Sequence, residues 1–346
     1  MKKLVALLVL VACAFSFAIA EEVWLPQRPE VKKPIAGELE LIDPIAIAQR
    51  TEFEQYDWKF GLINYASDFQ SSIDIAQGIK DYAANYGIEV VEVTVDMDVS
   101  KKPSAVETLL MQEVDFIIDA SWIGTDASII AALEEGVPTL TYDTIFNEEL
   151  SWFIGGDNAT SGYTIGKYMG DIINGQWGGA YDYLVLFSSF GTSEAMTLRM
   201  ESAFKGFEEK GIAIDPDKVV YYDTQGQAIK AQQYAADFLT AHPEATKILF
   251  GGNNGDAGVG MLAAVQTAGR EADVIIYTYG AEQAAIDNMR GEPNCWVADV
   301  GYYFKQYGAM GVDTAIRILN GEVVSTYVTP EMFVINHENV DSYLGA

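Results

Sequence analysis

KFGLINYASDFQSSIDIAQGIKDYAANYGIEVVEVTVD, residues Lys59–Asp96, decides the fold. Phe60–Ala66 is an apolar run, the middle carries apolar residues at helical spacing (Ile73, Ala76, Ile79, Tyr82, Ala83), and Ile88–Val95 is a second strand-like run. The order is strand, helix, strand. Apolar strands joined by amphipathic helices belong in a parallel sheet covered on both faces, and the right-handed crossover puts the turn Ser67–Ser72 at the carboxyl edge. Open α/β sheets bind their ligands at that edge. The turn offers Phe69 for packing and Ser67, Asp68 and Gln70 for hydrogen bonding, but it has no G-x-G-x-x-G to cradle a pyrophosphate.

The alternation continues outward. Helices are expected near Ser104–Gln112 and Ala127–Glu135, strands at Phe116–Asp119, Thr139–Asp143 and Trp152–Gly156, then a helix Ala159–Ile173. Asn174–Gly179 reads as a break, after which the pattern starts again. Strands Tyr183–Ser188, Val219–Asp223, Ile248–Gly251, Val274–Tyr279 and Cys295–Val300 alternate with helices Glu194–Lys210, Ala228–Thr240, Ala257–Ala268 and Gln283–Arg290. A helix Gln306–Leu319 and a strand Met332–Ile335 follow, as terminal elements able to return to the first half. Before all this, Glu21–Trp58 carries Pro26, Pro29, Pro34 and Pro44 and reads as an extension or tether with one short helix near Ile45–Arg50.

At 346 residues the chain suits two domains, and its 49% hydrophobic and 21% charged residues describe a globular protein. A net charge of -29 makes a phosphate backbone a poor partner, so nucleic acid is excluded. Met1–Ala20, with Lys2, Lys3, an apolar core and Ala18-Ile19-Ala20, reads as a secretory signal cut before Glu21. Leu10-Val11-Ala12-Cys13 looks like a lipoprotein box, but cutting there would leave an apolar mature end, and the soluble exported form is the expectation. With the signal removed, Cys295 is the one remaining cysteine, so no disulfide or thiolate metal cluster forms within the chain.

Six arginines occur, and Arg199 is the only one between Arg50 and Arg270. Set in a helix among Met196, Leu198 and Met200, it either faces solvent or offers a fixed fork of donors to a ligand. Asp143 closes an apolar strand, as ligand acceptor or as cap of the next turn. Asp157-Asn158 precede a helix, where at least one is expected to cap it. Phe69, Trp122, Tyr279, Tyr302 and Tyr303 fall at strand ends or edge loops, where each fits a core as well as a cleft and the set favours a cleft. Catalysis has little to stand on. His242 and His337 read as surface residues with no nucleophile or ligand partner by spacing, Phe190-Gly-Thr-Ser193 is not a nucleophile elbow, and there is no phosphate loop. No cofactor and no metal are called for.

Taken in order, several of these stretches resemble the sugar-binding periplasmic proteins of the ribose/galactose type, the solute receptors of ABC importers. The carriers are Ser67–Ser72, Thr139-Leu-Thr-Tyr-Asp143, Gly156-Asp157-Asn158 with Gly162 and Gly166, and Gly191-Thr192-Ser193 with Arg199. Leu239-Thr-Ala-His-Pro243, Phe250-Gly-Gly-Asn253-Asn254 and Gln266-Thr-Ala-Gly269 complete a likeness that spans Lys59 to Ile335. The resemblance implies two Rossmann-like parallel-sheet α/β domains joined by a three-segment hinge (the type I periplasmic binding fold), with lobes at 58–157 plus 303–331 and 158–302 plus 332–346. It implies a monomer that traps a small sugar in the interdomain cleft and presents it to an importer permease. Phe69 would stack on the ligand, Ser67, Asp68 and Asp143 would bond its hydroxyls, and Arg199 and Asn254 would do so from the other side. Trp122, Tyr279 and Tyr302 would line the walls. Asp143-Thr144 stands where many members have Asp-Arg, and Thr278-Tyr279 where they have Phe-Asp. These departures favour a modified sugar or a nucleoside-like ligand over a plain hexose or pentose. A sensory domain or a secreted hydrolase could share the fold.

Overall fold

The computed structural model describes residues 33–67, 70–122, 126–144, 148–190 and 194–344. The segment expected to be a secretory signal, Cys13, Asp68 and Phe69 lie outside them. The first part of the chain gives β1 (Ile35–Ile42), α1 (Pro44–Ala48), β2 (Lys59–Asn64), α2 (Gln70–Asn85), β3 (Glu89–Thr94) and α3 (Lys102–Met111). Then come β4 (Phe116–Ala120), α4 (Asp126–Glu134), β5 (Thr139–Tyr142), β6 (Trp152–Ile154) and α5 (Asn158–Trp177). The next part comprises β7 (Tyr183–Ser188), α6 (Glu194–Glu209), β8 (Val219–Asp223), α7 (Ala228–Ala241), β9 (Ile248–Gly252) and α8 (Gly255–Ala268). Last are β10 (Val274–Gly280), α9 (Gln283–Arg290), β11 (Trp296–Gly301), α10 (Tyr307–Leu319), β12 (Ser325–Pro330), β13 (Phe333–Ile335) and α11 (Val340–Tyr343).

These strands form two sheets. One has seven strands in the order β1-β12-β6-β5-β4-β2-β3, and the other six in the order β13-β11-β10-β9-β7-β8. Every pairing is parallel except β11 with β13. Each sheet has an apolar layer on both faces, which is why its strands read as continuous hydrophobic runs. The chain leaves the first sheet after β6, returns after β11 and crosses again between β12 and β13, so three segments link the two. No helix among the described residues is long and apolar enough to cross a membrane.

The expected tether is in part a structural element. Residues 35–42 add an edge strand beside β12, because Glu38-Leu39-Glu40-Leu41 alternates with the period of a strand and Pro34 and Pro44 stand at its two borders rather than breaking it. Asp43 then caps α1, accepting from the N–H groups of Ile45 and Ala46 at 3.0 Å each, with Pro44 in the first turn. Beyond α1, Phe53 packs edge-on against Tyr82 of α2 and Tyr86 just past its end, and Arg50 forms an ion pair with Asp313 of α10, whose side chain is 7% exposed. The helix expected to end at Ile173 runs on to Trp177. Gly175 is tolerated within it, and the stop is Gly178, which takes the left-handed conformation at φ 66°.

Removing Arg50 would leave the Asp313 carboxylate buried without its closest cation. Arg50→Ala is expected to cost about 1–3 kcal/mol of stability, read as a lower urea midpoint at unchanged m-value. An unchanged midpoint would mean that the segment before β2 is not part of the cooperative body.

Candidate functional site

The carboxyl ends of the two sheets carry the groups that matter, and Arg199 is at their centre. Its helix α6 can approach α5 closely because Gly162 and Gly166 have no side chain. A Cβ at Gly162 would fall on the carbonyl oxygen of Arg199, and one at Gly166 on that of Ala203. Arg199 is 6% exposed. Its Nε donates to Asn158 Oδ1 at 2.8 Å, its Nη1 to the Asn253 carbonyl at 3.0 Å, and its guanidinium lies 4.5 Å from the ring centroid of Tyr302. Of the two residues expected to cap α5, Asp157 takes the N-cap role and leaves Asn158 to hold the arginine.

Asp143 follows β5 in the left-handed region, at φ 52°. Its Oδ1 accepts from Tyr307 Oη at 2.8 Å and its Oδ2 from Trp122 Nε1 at 3.3 Å. Tyr307 Oη also accepts from the Gly156 N–H at 3.1 Å, and its carbonyl accepts from Tyr142 Oη at 2.7 Å. The carboxylate is partly accessible but enclosed by protein. Burial raises its pKa, opposed by the Tyr307 hydrogen bond and then by the positive charge of Arg199, which acts on it from the other sheet.

Trp122, itself at φ 53°, meets Tyr65 edge-on at 5.3 Å. Tyr302 is fully buried. Its hydroxyl lies 2.6 Å from Ser161 Oγ and 3.2 Å from Asn158 Oδ1, and its ring packs on Gly156, where no Cβ could fit. The structure therefore brings together Trp122, Asp143, Arg199 and Tyr302. Tyr279 stands behind them: it is buried in the core and its hydroxyl donates to the Arg199 carbonyl at 3.2 Å. Asn254 is the N-cap of α8, accepting from the Ala257 N–H at 2.9 Å and donating to the Gly226 carbonyl at 3.1 Å. Ser67 is exposed just past β2. Tyr303 turns away to pack on Tyr343.

Four participants escaped the sequence reading. Asn158 and Asn253 hold the arginine, Tyr307 holds the aspartate, and Phe304 lies between Tyr302 and Tyr307 at 5.9 and 5.1 Å. The tandem Asn253-Asn254 at a strand end was a usable signal, since only one of the two can cap the helix.

A model of the periplasmic binding protein domain matches residues 60–322. The chain belongs to this family. Among curated relatives of this periplasmic binding protein is the ABC transporter periplasmic-binding protein YphF of Escherichia coli (strain K12), 25% identical over 59% of this chain. The match spans 63% of that relative's own length, under two thirds. The ribose import binding protein RbsB of the same organism is 24% identical over 73% of this chain and 81% of its own. A solute binding protein from Bacillus halodurans C-125 with bound myo-inositol superposes with a TM-score of 0.71 at 20% identity, covering 84% of this chain and 99% of that one. The fold is thus the type I periplasmic binding fold expected from the sequence.

Two more carboxylates, the buried Asp299 and the half-buried Glu282, lie in the second lobe of this periplasmic binding protein. Asp299, fully buried on β11, accepts from the hydroxyl of Thr278 and, at 2.8 Å, from the N–H of Ala281. Burial pushes Asp299 up to about 7, and burial with the nearby charge of Asp256 pushes Glu282 up to about 7. Unfolded carboxyls titrate near about 4, so between there and about 7 the native state binds more protons and stability falls as pH rises. The contribution is complete below the unfolded pKa and lost through the folded one. Asp299→Asn is expected to flatten part of the fall in melting temperature between about pH 4 and 7. A variant that keeps the wild-type slope would show that Asp299 does not titrate there.

Proposed function

We propose that this protein is the exported receptor of an ABC importer, and that it traps a small sugar, modified sugar or nucleoside-like ligand between its two sheets. The supporting observation is that one cation and one carboxylate, carried by different sheets, act on each other at the sheet edges among aromatic faces. Each Asp143 oxygen has acceptor capacity beyond the bond it already takes, and among the described residues protein acceptors engage two of the five Arg199 donors. Sugar hydroxyls can therefore donate to Asp143 and accept from Arg199, while the C–H face of a ring packs on Trp122, and the buried Tyr302 backs the arginine. Because these contacts come from both lobes, ligand favours the closed arrangement, which is what a permease would recognise. The likeness to a ribose import protein and to a structure holding myo-inositol supports polyol chemistry.

Titration with D-ribose, myo-inositol and a nucleoside, followed by tryptophan fluorescence and melting temperature, tests the proposal. At least one should bind. Arg199→Ala and Asp143→Asn should each weaken that binding about ten- to a hundredfold, the loss of a charge-assisted hydrogen bond. Binding unaffected by either substitution would move the site elsewhere.

A further inference from the structure

Beneath Trp122 lies a buried ion pair that ligand contact does not itself require. Lys102, the first residue of α3, and Asp119, on β4, each have side chains 2% exposed and form a direct salt bridge. Ser121, fully buried, ties the pair to the turn. Its Oγ accepts from Lys102 Nζ at 2.8 Å and donates to Asp119 Oδ1 at 2.6 Å, and its N–H donates to that same oxygen at 3.1 Å. Trp122 comes next.

Two physical arguments give this arrangement a purpose. Taking a lysine and an aspartate out of water is costly, and a buried pair is often no more stabilising than apolar residues of the same volume, so stability alone does not account for it. Burial accordingly lowers the pKa of Lys102, against the opposing charge of Asp119. What charge provides and methyl groups cannot is direction, here two bonds at the Ser121 hydroxyl and one at its backbone N–H. The residue they deliver, Trp122, sits at φ 53°, a conformation a bulky side chain keeps only when its surroundings over-determine it.

We propose that Lys102 is a positioning residue of the ligand site: with Asp119 and Ser121 it fixes the turn that presents the Trp122 indole to Asp143. The ligand part of this inference rests on the receptor function proposed above, and the positioning part does not. With six tryptophans in the chain, the Trp122 signal is obtained as the near-UV circular dichroism difference between each protein and its own Trp122→Phe counterpart. Lys102→Met is expected to lose that difference band and to weaken binding of whichever of D-ribose, myo-inositol or the nucleoside binds the wild type by about tenfold, one unit in log Kd. The double variant Lys102→Met/Asp119→Leu, which buries no charge, should regain the melting temperature while the band and the affinity stay lost. If the double variant keeps the wild-type Trp122 band and affinity, the pair is merely structural and the proposal falls. Should no probe bind the wild type, the receptor reading fails, and the band alone still decides the positioning role.

Discussion

The site depends on holding one guanidinium still at the junction of two sheets. Burying an arginine to 6% exposure is costly unless its donors find partners, and here an amide oxygen at the start of α5, a carbonyl just past β9 and the face of Tyr302 share the task. The two acceptors come from separate elements, so the position of Arg199 reports the packing of the whole second sheet and its helices. The approach of α6 to α5 over Gly162 and Gly166 sets its depth. A larger residue at either glycine would move the helix, and the fork with it.

On the other sheet the problem is reversed: a carboxylate must be kept ready to accept. Asp143 is surrounded by groups that donate to it, yet burial still raises its pKa. The positive charge of Arg199 across the junction offsets part of that penalty. Tyr307 links this chemistry to the hinge. It opens α10, directly after the return crossing from β11, and its hydroxyl bonds both Asp143 and the N–H of Gly156 on the first crossing. Tyr307 thus ties two of the crossing segments to the Asp143 carboxylate.

Much of the fold was legible because buried parallel strands announce themselves as apolar runs, and the strands from β2 to β11 were found near their actual limits. The elements missed were β1 and β12, which pair with each other at one edge of the first sheet. Their sequences, IAGELELI and STYVTP, are mixed or β-branched rather than continuously apolar, and prolines at their ends resembled loop punctuation. Arg199 was singled out from its helix, and Asp143, Trp122 and Tyr302 from residue type at strand ends, and the structure places these four near one another. Whether Tyr279 and Asn254 faced inward or outward was not legible, because a tyrosine at a strand end and an asparagine before a helix fit a core or a cap equally well. Asn158 and Tyr307 were invisible for another reason: their partners lie 41 and 164 residues away in the chain.

The two sheets solve one further problem in parallel. At the end of a strand in each, a buried aspartate accepts the N–H of a turn residue. Asp119 takes that of Ser121 just before Trp122, and Asp299 takes that of Ala281, which is itself left-handed at φ 47°. Asp119 is matched by a lysine and stays an ion pair, whereas Asp299 has a threonine hydroxyl as its side-chain partner and an elevated pKa. In both cases a carboxylate on a neighbouring strand position accepts the N–H of a turn at the sheet edge.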